Sequence, residues 1–106
     1  MVTTFNQRYQ GKPLLRLLEC YVLWAIGQLP ETDANTLQEM TPKLQAVYRT
    51  QGDWQQVIAS AVNLPPNMPD LIRDVWAKNT EIARKSGVTL TPQQFAEVFV
   101  DQNLTD

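Results

Sequence analysis

The sequence predicts an all-α protein: a compact bundle of five or six short helices with no significant sheet. Three observations carry that prediction. Apolar residues recur three and four apart along most of the chain, helix-start and helix-stop residues punctuate those stretches, and the only alternating run, Val88 to Leu90, is too short for a sheet. The 106 residues are 43% hydrophobic and 19% charged with 4 Gly, which suits one core and excludes disordered and low-complexity classes. The expected units are a polar, weakly basic arm over residues 1–12 and a single helical domain over 13–106.

Pro13 suits the first turn of a helix that runs to about Gln28, where Leu29-Pro30 stops it. The next segment places Leu37, Met40, Leu44, Val47 and Tyr48 on one helical face. Pro42 interrupts it by removing an amide hydrogen and crowding the carbonyl of Gln38. The segment is therefore either one kinked helix or two helices, the second capped by Thr41, and the spacing favours two. Gln51-Gly52 closes it. Asp53 and Gln56 then form a capping-box variant ahead of a helix burying Trp54, Val57, Ile58, Ala61 and Val62.

Asn63 to Pro69 holds Pro65, Pro66 and Pro69, a stiff connector. A helix from about Asp70 to Ser86 follows, with Gly87 as its left-handed cap and Val88 as the apolar residue beyond. Its early acids and late bases complement the helix dipole, and Asp74–Lys78 and Glu81–Lys85 are acid-first pairs four apart. Thr91, Pro92 and Gln94 start a last helix that presents Phe95, Val98 and Phe99.

Two helices depart from a plain bundle. On the wheel, Leu71, Ile72, Val75, Trp76, Ile82 and Ala83 share an arc of about 140°, with Asn79 near its middle. A buried amide must be hydrogen-bonded, so Asn79 reads either as an amide satisfying backbone groups of a nearby loop or as a candidate ligand or register contact, with Tyr48 as a second candidate polar anchor. The first helix has a polar strip (Lys12, Arg16 and Glu19) only about 60° wide, with Leu15, Val22, Leu23 and Ile26 crowding beside it. Leaving Leu15, Leu23 and Ile26 in water would forfeit about 1.5–3 kcal/mol per side chain. Either a second chain covers them or this helix is the centre of the domain, and the short neighbours favour a second chain.

Composition excludes much chemistry. The chain has no His and 1 Cys, so no intrachain disulfide, no Cys/His zinc site and no imidazole base can be built. Cys20 reads as a core residue in a reducing compartment. No metal or other cofactor is indicated: Asp70 and Asp74 are the only close acidic pair on one helix face, and the glycines at 11, 27, 52 and 87 build no phosphate loop. Formal charge is −2, with +3 in residues 1–18 and −5 in the rest. That balance argues against nucleic acid, as does the acidic leading end of the helix after the proline connector, which also ill suits a helix-turn-helix. The Leu14 to Leu29 run is too short and too charged for a membrane span or a secretory signal, so a cytoplasmic location is expected.

The expected function is a small non-catalytic helical protein-interaction domain, self-associating as a homodimer or binding a protein partner. Leu15, Leu23 and Ile26 form the expected contact, with Arg8 and Lys12 on the arm as secondary anchors. The competing expectation is a small-molecule-binding or enzymatic domain with an interhelical pocket near Asn79 and Tyr48. A third is a nucleic-acid accessory domain using the basic arm.

Overall fold

A computed structural model describes residues 13–104. Among them lie five α-helices and no strand: α1 (Pro13–Ala25), α2 (Glu31–Tyr48), α3 (Trp54–Ala61), α4 (Met68–Lys85) and α5 (Pro92–Phe99). A π-helical turn, Val100–Leu104, continues α5, with Asn103 Nδ2 donating to Phe99 O at 3.1 Å. The expected all-α bundle is the observed architecture.

The helix ends follow from local chemistry. Gly27, at φ +72°, stops α1 earlier than expected: the Gln28 amide turns back to Leu23 O at 2.9 Å, a left-handed closure that only glycine adopts without strain. Gly87 ends α4 in the same way, with Val88 N–H donating to Ala83 O at 2.9 Å. Thr91 and Gln94 form the expected reciprocal box at the start of α5, each donating its backbone N–H to the other's side chain at 3.1 Å. Ahead of α3, the Asp53 amide donates to Gln56 Oε1 at 2.9 Å.

Two boundary expectations need correction. Pro42 does not divide the second segment, because α2 runs unbroken through it. Thr41, expected as a cap, instead donates its hydroxyl to Leu37 O at 2.9 Å. This back-bonding bends a helix and eases the crowding a proline imposes. The helix closes at Arg49, held left-handed at φ 54°, rather than at Gln51-Gly52.

The core forms around α1. Leu18 and Val22 of α1, Val57 and Ile58 of α3, Ile72 of α4, and Val100 are all fully buried. α1 packs against α3, α4, α5 and the π turn, while α2 packs mainly on α3. Aromatic contacts seal the layer ends, with Trp76 against Phe95 at 5.1 Å, Phe95 against Phe99 at 5.7 Å and Trp24 edge-on to Trp54 at 6.2 Å. Arg73 Nη1 donates to Ala25 O at 3.3 Å, tying α4 to an orphan carbonyl at the end of α1. No helix among the described residues is long and apolar enough to cross a membrane.

Candidate functional site

The first helix, expected to leave apolar flanks open, is wrapped by its own chain. Leu23 is 3% exposed, and Leu15 and Ile26 are half-buried against the core. The premise for an interface on α1 therefore fails: α3, α4 and α5 surround it from three directions, and the central-helix solution is the one adopted. Two members of the polar strip bind neighbouring helices. Glu19 is fully buried and accepts from Gln93 Nε2 of α5 at 2.9 Å. Arg16 pairs with Asp33 of α2 at 3.0 Å. The strip is used to fasten α1 to its neighbours. Arg8 and Lys12 lie outside the described residues.

Asn79 is exposed, and its Nδ2 donates to Val75 O in its own helix at 2.8 Å. The expected buried anchor is a self-satisfied surface amide. The reason is length: α4 has 18 residues and α1 has 13, so α4 outruns the layer beneath it by roughly 7 Å. Leu71 and Ile82 lie at the edge of the apolar arc, turned away from buried Ile72, and Ile82 also lies past Trp76. Leu71 is 45% and Ile82 63% exposed, while Val75, Trp76 and Ala83 are half-buried. Val88, expected to fold back on the cap, and Val98, expected in the core, are exposed too, and Ala96 takes the inward place on α5. Trp24 of α1 is partly exposed as well.

The charges flanking the open arc of α4 are ordered. Asp70 and Asp74 precede Lys78 and Lys85 on one side of Leu71 and Ile82. Glu81 pairs with Arg84 at 2.6 Å and Lys85 at 3.8 Å, and Asp70 pairs with Arg73. The expected Asp74–Lys78 pair does not close, and neither residue has an ion-pair partner among the described residues.

A second open feature is a groove of about 540 Å³ between α1 and α2. Leu17 and Cys20 form one wall, and Leu37, Met40, Leu44 and Val47 form the other. The Arg16–Asp33 bridge crosses one end, and Lys43 and Tyr48 border the other half. Tyr48, read from the sequence as a possible anchor, is therefore at a cavity, but Asn79 is not. Burial pushes the Cys20 thiol up from 9.0 to about 11, with Asp33 and Glu19 adding to the rise against an opposing pull from Arg16. Cys20 thus stays protonated at neutral pH and is a poor nucleophile.

A smaller groove of about 420 Å³ lies by the proline connector, between Tyr21, Trp24 and Pro65–Pro66. At its edge Gln55 Oε1 is buried without a hydrogen-bond donor. Among the described residues no three His, Cys, Asp or Glu side chains converge as metal ligands.

Sequence reasoning missed the α1/α2 groove. Its signal was present in the four-three-four-three spacing of Asp33, Leu37, Met40, Leu44 and Val47, which marks a continuous helical seam. Read as two helices, the segment hid that seam. No family model, no curated protein and no solved structure matches this chain.

Proposed function

We propose that the protein is a non-catalytic helical interaction domain of the cytoplasm that self-associates, and that the contact surface is α4. The observation that carries this reading is the open apolar strip of Leu71, Val75 and Ile82 on a helix that projects past its own core. Burying it between two copies recovers about half of the roughly 1.5–3 kcal/mol that full burial of such a side chain gives, since Leu71 and Ile82 are 45% and 63% exposed.

Charge order selects the geometry. In an antiparallel pair centred near residues 76–77, Leu71 of one copy meets Ile82 of the other. The acids Asp70 and Asp74 then face Lys85 and Lys78 across the twofold axis. A parallel pair would carry these charged flanks to opposite sides of the contact, where they do not meet. Asp74 and Lys78 have no ion-pair partner among the described residues, which leaves them for this exchange. The buried, protonated Cys20 and the absence of His favour binding over catalysis and suit a reducing compartment.

Sedimentation velocity across roughly 1–100 μM, a range bracketing ordinary dimer affinities, tests the reading. Twice the single-chain mass is expected for the natural sequence, and a single-chain mass for Ile82→Asp. Asp74→Lys weakens the dimer by opposing Lys78, and adding Lys78→Asp restores it. A single-chain mass throughout, or a dimer indifferent to Ile82→Asp, overturns the proposal.

A further inference from the structure

We infer that the groove between α1 and α2 binds single-chain anionic amphiphiles, with the hydrocarbon lying along the Leu37–Val47 seam and the head group at Lys43. The shape comes first. The lining residues of α2 run from Asp33 to Tyr48, fifteen steps or about 22 Å of helix, whereas α1 contributes only Arg16, Leu17 and Cys20, about one turn. The opening is therefore long and narrow. At about 540 Å³ the groove lies within the size range of clefts that hold small molecules. A single hydrocarbon chain can lie along its length.

The chemistry follows from the walls. Leu17, Cys20, Leu37, Met40 and Leu44 offer no unsatisfied polar side-chain atom to a guest, and water in such a groove finds few partners. A hydrocarbon chain replaces that water without stranding a donor or acceptor. The Cys20 thiol adds no negative charge at neutral pH. Asp33 is already engaged by Arg16, so the lining carries one uncompensated charge, the Lys43 ammonium, which has no ion-pair partner among the described residues. A cation at the edge of an apolar furrow calls for a carboxylate or similar head on an unbranched chain.

Isothermal titration with laurate, against dodecyltrimethylammonium of equal chain length, tests this, with both probes kept below their micelle-forming concentrations. Saturable binding of one laurate per chain is expected, about threefold to tenfold tighter than the cationic probe, the range a partly exposed ion pair supports. Lys43→Glu should invert that preference. Met40→Trp, which fills the groove, and Val47→Asp, which charges a side chain 62% exposed and so spares the fold, should each weaken laurate at least tenfold. Far-UV circular dichroism checks that the variants remain helical. Three results would overturn the inference. One is no saturable laurate binding, the second is equal affinity for both head charges, and the third is binding that survives Val47→Asp. Loss of the dimer in Val47→Asp with laurate binding intact would assign the groove to a second copy instead.

Discussion

α1 and α4 invert the simplest reading of helical patterns. α1 is apolar nearly all the way round, interrupted by Arg16 and Glu19, yet most of its circumference is enclosed by the chain and even Glu19 is fully buried. α4 is cleanly two-faced, the pattern expected of a helix lying half in a core, yet Leu71 and Ile82 on its apolar face stand in solvent. The difference lies in the neighbours. α1 is short and meets α3, α4 and α5, whereas α4 is five residues longer and runs past them. Periodicity states which face a helix can bury. The lengths and directions of the surrounding elements decide how much of that face is covered.

The comparison breaks most visibly if α1 does not dominate stability. Leu18 is 1% exposed at the centre of the cluster. Leu18→Ala should cost about 2–5 kcal/mol, the transfer loss plus an uncollapsed cavity. Urea denaturation at micromolar protein should show a lower midpoint with an unchanged slope. A loss under about 1 kcal/mol would mean that α1 is not the axis of the fold.

Much of the fold was legible because it depends on neighbours in sequence. The box at Thr91 and Gln94, the closure at Gly87, the inward faces of Trp54, Val57 and Ile58, and the dipole-matched charges of α4 all involve residues within four or five positions. The misreadings involve distance. Glu19 looked solvent-facing because its partner Gln93 lies 74 residues away. Asn79 looked buried because nothing in its own helix says where the core beneath it stops. The groove was obscured for a different reason. Pro42 signals a break by every local rule, and only the continuous seam on both sides of it shows why one unbroken helix is the better solution.

A second way to sharpen the contrast is alkaline titration, because the enclosed side of α1 holds groups that resist ionising. Cys20 ionises near 9.0 when unfolded and near 11 when folded, and burial also pushes Tyr21 upward. Below pH 9 the thiol is protonated in both states and its full contribution is present. Between pH 9 and 11 the unfolded state binds fewer protons, so stability falls as pH rises. Two units correspond to about 2–3 kcal/mol. Cys20→Ala should flatten that part of the stability profile, leaving the smaller Tyr21 contribution, and an equally steep decline in the variant would refute the assignment.

Pro42 tests α2, which stands between the two extremes. Its side chain is exposed, so replacing it removes little packing. Pro42→Ala returns an amide that can donate to Gln38 O and relieves the ring's crowding, a gain of up to about 3 kcal/mol in an ideal helix. The freer unfolded chain offsets about 0.4–1 kcal/mol of that. A net rise near 2 kcal/mol is expected in urea denaturation.

The smallest effect on stability belongs to the most exposed large apolar side chain of α4. Ile82 is 63% exposed, so Ile82→Ser removes little that folding alone has buried. At protein concentrations well below the dimer dissociation constant, the change in unfolding free energy should stay within about 0.5 kcal/mol. Association adds stability by mass action, so the natural chain gains in midpoint as its concentration rises and the variant does not. A concentration series of thermal midpoints therefore separates the two roles of the helix. Parallel slopes would mean that Ile82 is an idle surface residue. A slope present only in the natural chain would mean that α4 leaves its apolar face open for a second copy.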